Sequence, residues 1–412
     1  TLNNAINAGS GTVTIGANQN GAGAESFTMA AGSSITTTNT TANAVQINVN
    51  AAAGGTGTAA LRSITTGDGG TLTVATNTGG NATGGDITQT AATLLNVGSG
   101  TINLTTPAIA SANIGASATP ILTSAGTIIA STGTSGIYIT ETDGADFTAT
   151  ATGAGPISLT STTGALNIAG ATSTGTGAIT LTADTVNVNN TLSSTGALAL
   201  NPVTAAGNLT VSSSSASNLT DGFSAITIGN AAGTGAVTVN ALTVSDPLTI
   251  RSPTTTGTVT VNGPIVGLGN GTVAITGGTG ATPIILNAGI TTAGNTITLS
   301  DNVGLGANVT LDSSNAGGNP AGAAISVTGT VNADSAANNR TLTINSGTGG
   351  NTTLSGAVGN TEALQNLTVA NSNVLSLQAI TTTADVQLNA QNTVTLNNAI
   401  NAGSGTVTIG AN

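Results

Sequence analysis

The 412-residue chain has no cysteine, histidine, tryptophan or lysine; its basic residues are Arg62, Arg251 and Arg340, and its aromatic ones are three Phe and one Tyr. Each absence excludes something. Three arginines cannot neutralise a run of phosphates, so nucleic acid is not expected as a partner. Without Cys there is no disulfide framework, which suits a surface protein exported unfolded as well as a cytosolic one. Without His, Lys or Cys, acid–base chemistry falls to fourteen carboxylates, the Tyr and the arginines, and such chemistry needs groups that converge within hydrogen-bond reach. No apolar run approaches the roughly eighteen residues of a bilayer crossing, and no basic amphipathic helix is written, so no membrane insertion is expected of this segment. Disorder needs low hydrophobicity or high charge, whereas 38% of residues are hydrophobic and 4% charged. Such a chain can bury a core.

What is present is repetition at two scales. Residues 1–18 read TLNNAINAGSGTVTIGAN, and residues 395–412 read the same eighteen letters. This predicts a parent protein that repeats every 394 residues, with 1–394 one tandem unit, 395–412 the start of the next, and 1–412 a single continuous segment. Thr1 is followed by no basic or apolar leader, so the native ends are expected elsewhere.

At the shorter scale, triplets with apolar residues flanking a small polar one recur: Val13-Thr14-Ile15, Leu72-Thr73-Val74, Ile157-Ser158-Leu159, Leu248-Thr249-Ile250 and Val259-Thr260-Val261. This alternation gives a strand one dry face, and no helical pattern intervenes. Alternate triplets return after roughly 19–22 positions, as they must in a coil whose turns stack in register. The expected fold is all-β, a right-handed parallel β-helix (β-solenoid), with the hand following the general crossover rule. At about 20 residues and about 4.8 Å per turn, the unit would have roughly 20 turns. Gly11, Gly70, Gly177, Gly196, Gly235 and Gly257 precede triplets and are expected to supply positive φ at corners. Pro120, Pro156, Pro247, Pro264 and Pro283 stand just before an Ile or Leu, where a strand begins. Asn-rich corners such as Asn187, Asn189, Asn190, Asn397 and Asn398 suit side-chain ladders along the coil.

In stretches such as ADVQLNAQNTVTLNNAINAGSGTVTIGAN, where triplets alternate with Asn-Ala-Gly corners, the chain resembles the repeat shafts of giant bacterial surface proteins of the filamentous-haemagglutinin and autotransporter-adhesin type. The resemblance implies a secreted β-helical shaft at the cell surface.

The only dense acidic group is ETDGAD, with Glu141, Asp143 and Asp146 beside Tyr138 and Phe147. Its functional readings are a calcium corner or a catalytic pair; the alternative is a hydrated surface corner, which the mismatch with known calcium-loop spacings favours. No catalytic residue and no cofactor is expected. Thr pairs such as Thr12 and Thr14 or Thr258 and Thr260 resemble the ranks of ice-binding solenoids, but Thr is a good strand residue in its own right and the spacing is irregular. Sequons at Asn81, Asn208, Asn218 and Asn366 are what so Asn- and Thr-rich a chain yields by accident. Residues 51–60, 78–86 and 141–146 interrupt the pattern, and are where a shaft that recognises a ligand would carry its patch. The expected function is structural and non-enzymatic: a segment of a giant secreted tandem-repeat protein forming an extracellular filament, stalk or sheath. Its partners are copies of itself, end to end and laterally. The alternatives are an adhesin shaft that itself binds a surface or host ligand and, further off, an ice-binding solenoid or a polysaccharide-active enzyme.

Overall fold

The computed structural model describes every residue except 21, 53–55, 80–83, 109–110, 338–339 and 412. Among the described residues there is no helix, and strands pair parallel with strands of the following coil. The fold is a right-handed parallel β-helix. The chain divides into two compact units, Thr1–Val203 and Thr204–Asn412.

In the first unit, Ile137–Glu141, Ile157–Ser161, Ile179–Thr182 and Leu198–Asn201 stack on one face. Their first residues pair as Ile137↔Ile157, Ile157↔Ile179 and Ile179↔Leu198, which is the return interval expected from the triplets. A second face stacks Ala145–Ala151, Ala165–Ile168 and Thr185–Val188. A third carries Thr172–Thr174 between the end of Ala145–Ala151 and Leu192–Ser193. Two triplets per turn were legible in the sequence; this third strand is short and places Thr172 and Thr174 inward, so it carries little apolar signal. Earlier coils are wider. Val13 pairs with Val45, Val45 with Leu72 and Leu72 with Ile102, and each of these steps is longer than any from Ile137 to Leu198.

The second unit runs three faces in strict rotation. One face stacks Ile226–Ile228, Leu248–Arg251, Val273–Thr276 and Ile297–Leu299, and continues to Thr393–Leu396. The second includes Ala236–Val239, Thr258–Val261, Ile284–Leu286 and Val303–Leu305. The third runs from Leu242–Val244 through Ile265–Gly267 and Ile290–Thr292 to Val407–Ala411. The step lengthens at Ile297↔Ile325 and is short again at Leu375↔Val394. The added residues lie between strands, so coil length varies while register is kept.

Inward positions are mostly apolar, with polar exceptions such as Thr172 and Thr174. Val237, Leu248, Val259, Ile297 and Leu311 are at most 2% exposed, and the Thr between triplet partners faces outward, as Thr238, Thr249 and Thr260 do. Alternation alone therefore assigns inside and outside. Strands begin at Ile121, Ile157, Leu248, Ile265 and Ile284, one residue after each of the five prolines, and the Pro carbonyls still accept from the neighbouring coil, as in Val259 N to Pro283 O at 2.8 Å. The outer surface carries the ladders: Asn187 Nδ2 donates to Asn167 Oδ1 at 2.8 Å, and Asn398 Nδ2 to Gln378 Oε1 at 2.7 Å.

The glycines before triplets serve a different purpose from the one expected. None of Gly11, Gly70, Gly177, Gly196, Gly235 and Gly257 has positive φ. Most are pressed against a backbone carbonyl of a neighbouring coil or corner. A Cβ on Gly177 would lie 2.2 Å from Gly155 O, and one on Gly196 would lie 2.4 Å from Gly177 O. They form columns at which coils approach too closely for any side chain.

Candidate functional site

The acidic corner is built by the strand Ile137–Glu141. Its alternation continues to the last residue, so Ile137, Ile139 and Glu141 all point inward, and Glu141 is 0% exposed. Coils cover it on both sides, through its register partners Thr123 and Ser161. Glu141 Oε2 accepts from Thr123 Oγ1 at 2.5 Å, and Oε1 accepts from the backbone N–H groups of Thr142 at 2.9 Å and Ala125 at 3.3 Å. Burial, and next the hydrogen bond to the Asp143 carboxyl, push its pKa up to about 7, against the pull of the Thr123 hydroxyl.

Asp143 is exposed and accepts from Ser124 Oγ at 3.4 Å. Asp146, also exposed, accepts from Asn167 Nδ2 at 2.9 Å and so forms one end of the Asn167–Asn187 ladder. Glu141 in the core and Asp143 at the corner are thus brought together, while Asp146 stands apart on the outer ladder. The hydrated-corner reading is corrected for Glu141, because a strand's period of two carried it inside. Among the described residues no group of three or more acidic, His or Cys side chains could hold a metal ion. Phe147 is fully buried, so it offers no stacking surface beside the acids.

Of the interrupting loops, residues 53–55 and 80–83, with the sequon at Asn81, lie outside the described residues. Asn208 and Asn366 each accept a backbone N–H from the next coil, those of Ala236 and Asp385. A groove that sequence reasoning missed lies in the second unit. It encloses about 550 Å³ over Ile285, Gly304 and Asn332, three successive rungs of one face. Gly304 is packed closely under one wall of it: a Cβ there would lie 2.4 Å from Thr282 Cγ2. The polar groups around it are engaged with one another. Asn332 Oδ1 accepts from Thr361 N and Glu362 N, and Asp334 holds Arg340 through contacts of 2.8 and 2.9 Å. Among the described residues that line it, no hydroxyl is hydrogen-bonded to a carboxylate.

The repeated segment is the most informative feature. In the first copy it forms the strands Ile6–Asn7 and Val13–Ala17, and in the second Ile400–Asn401 and Val407–Ala411, the same positions of the repeat. The corner between them is also reproduced. Gly9 and Gly403 both have φ 54°; Gly11 N donates to Ala8 O at 2.9 Å, and Gly405 N to Ala402 O at 2.8 Å. The Asn7 and Asn401 side chains accept from the two glycines at 3.2 and 3.1 Å.

The two copies are bonded from opposite sides. Val13–Ala17 pairs with Val45–Val49, the coil that follows it. Val407–Ala411 pairs with Val386–Ala390, the coil that precedes it. Val13 N donates forward to Ala44 O at 3.0 Å, while Thr406 O, equivalent to Thr12 O, receives Val386 N at 2.9 Å.

Fold and site define a β-solenoid whose distinguishing element is a coil repeated in sequence and in conformation. Comparison with family models, curated proteins and solved structures returned no match.

Proposed function

We propose that the chain is a structural, non-enzymatic segment of a tandem-repeat protein of the secreted-shaft kind, extending an extracellular filament, stalk or sheath. One observation carries this reading: residues 1–17 and 395–411, identical in sequence, adopt the same strands and corner, bonded forward in one copy and backward in the other. A coil that accepts the preceding coil 375–390 and supports the following coil 27–49 joins one unit to the next without any new contact. The composition supports the same reading. A chain with three Arg and no Lys presents few sites to trypsin-like proteases, and a hydrogen-bonded coil shields them further.

The test is a chain containing two units in tandem, 1–394 followed by 1–412, measured by small-angle scattering and electron microscopy beside the single chain. Growth along one axis by one added unit supports the reading. Two bodies joined by a protease-sensitive linker at the junction would overturn it.

A further inference from the structure

Thr123 and Glu141 stand opposite each other in successive coils, as register partners of the strands Ile121–Thr132 and Ile137–Glu141, and both are 0% exposed. The Thr123 hydroxyl donates to Glu141 Oε2 at 2.5 Å, which sets Oγ1 roughly 3–3.5 Å from the carboxyl carbon, the separation of a near-attack pair. The other carboxyl oxygen has a different setting. Oε1 accepts from three backbone N–H groups, those of Thr142 at 2.9 Å, Ala125 at 3.3 Å and Asp143 at 3.4 Å, an arrangement that stabilises an oxyanion as a carboxyl carbon turns tetrahedral. The Asp143 carboxyl is hydrogen-bonded to that of Glu141 and belongs to the exposed corner. Nucleophile, acyl carbon, oxyanion donors and a proton carrier thus meet at one buried point. We propose that the two side chains condense to an ester, a covalent staple between neighbouring coils.

Thr123 Oγ1 bonds to Glu141 Cδ, the Cδ–Oε2 bond breaks, and Oε2 leaves as water with the hydroxyl proton and the acid's own proton, the transfer relayed by Asp143. Nothing is oxidised or reduced, and no co-reactant enters. The acid is the reacting form, because a carboxylate repels a nucleophile, and burial together with Asp143 pushes the Glu141 pKa up to about 7. The preceding coil faces this carboxyl with Thr123, Ser124 and Ala125, and the following coil with Ser161 and Thr162. None of these titrates, so Asp143 is the titratable neighbour. In open water hydrolysis would win. Here the partners are fixed in place, and well-oriented pairs reach effective molarities of about 10⁵ M or more, far above that of water itself. The site is also closed to solvent, so the balance favours the ester. The bond holds adjacent coils together when the hydrogen bonds between them open, and like any cross-link it stabilises chiefly by restricting the unfolded chain. It lies in the core of the first unit and is independent of the repeated coil.

The test is the mass of the whole chain. Freshly refolded above about pH 8, where Glu141 is mostly ionised, it should have the mass of its sequence, and this open form is the one whose stability titrates with Glu141. After incubation at about pH 5, where the acid predominates, it should be lighter by one water. Fragment spectra of a peptic digest should then join the peptides that carry Thr123 and Glu141. Closure should be about tenfold slower at pH 8 than at pH 6, following the protonated fraction. Thr123→Val, which removes the nucleophile and keeps the shape, should retain its full mass throughout. Full sequence mass in the unaltered chain after acid incubation would overturn the proposal. So would a loss of water that persists in Thr123→Val, since a cyclic imide at Asp143–Gly144 sheds the same mass without joining two peptides.

Discussion

Residues 1–17 and 395–411 are the same sequence in the same local conformation, yet Val13 is almost buried and Val407 nearly half exposed. The strands, the φ of 54° at the corner glycine and the Asn side chain that caps it are set by the repeated residues 1–17 and 395–411 themselves. Burial is set by which neighbouring coil is present. In this fold conformation is local, while stability is a property of stacked pairs, as nearest-neighbour descriptions of repeat proteins hold.

The comparison can be broken most forcefully at positions covered on both sides. Val259 is 0% exposed, between register partners Val237 and Ile284. Val259→Asp should cost about 3–5 kcal/mol or open a local blister, because it places an unpaired carboxylate in an apolar stack. Val407→Asp, covered from one side, should cost roughly half of that or less, and Thr260→Asp should stay within about 0.5 kcal/mol. Chemical denaturation of the three variants checks the order; equal losses would mean that coverage does not set the cost.

Glu141 is the natural counterpart, a carboxyl already placed between two coils. Its pKa is raised from 4.5 to about 7 in the folded chain, so folding favours the protonated form. The stabilisation is complete below about pH 4.5 and is lost as pH rises through about 7. On the order of 2–3 kcal/mol is at stake. The melting temperature of the first unit should fall across that window, and Glu141→Gln should flatten the dependence. A melting temperature that rises across the same window would show that the carboxylate, not the acid, is the favoured form inside.

Smaller effects sharpen the comparison within the repeat itself. Val13→Ala should cost about 2 kcal/mol and Val407→Ala less than about 1, since less apolar surface is lost at the uncovered copy. Gly9→Ala should cost about 1 kcal/mol from positive φ alone, because a Cβ there meets nothing within 4 Å. Gly403→Ala should exceed it, because its Cβ would lie 2.9 Å from Thr383 O of the preceding coil. Equal melting shifts for the two glycine variants would show that the coil beneath exerts no constraint.

Much of this was legible in the sequence, because a period of two is a strong signal wherever apolar and polar residues truly alternate. It assigned Val13, Leu72, Ile157, Leu248 and Val259 to the core, all of them buried, and placed strand starts after five prolines. It was less informative where the inward residue is polar. Thr172, Thr174 and Glu141 sit at inward positions, yet their chemistry reads as surface, so the third face and the buried carboxyl were hidden; extending the alternation one step beyond Ile139 would have found the latter. Glycine was ambiguous for a different reason. Close approach between coils and positive φ both select it, and only the stacked geometry of Gly155, Gly177 and Gly196 separates the two causes. Coil length was underestimated because loops between strands add residues without disturbing register. The partners of the repeated coil, Val45–Val49 on one side and Val386–Ala390 on the other, lie far apart in the sequence and emerge only from the pairing.

The central claim is that the coil 395–411 is built to carry a following coil as 1–17 does. Hydrogen exchange at the Val407 amide tests it most directly, in the 412-residue chain and in one extended beyond Asn412 by a second copy of residues 19–50. In the extended chain Val407 N should gain the bond that Val13 N makes to Ala44 O at 3.0 Å, and its exchange should slow on the order of a hundredfold or more, to match Val13. A Val407 amide that exchanges as fast with the extension as without it, while Val13 stays protected, would contradict the account.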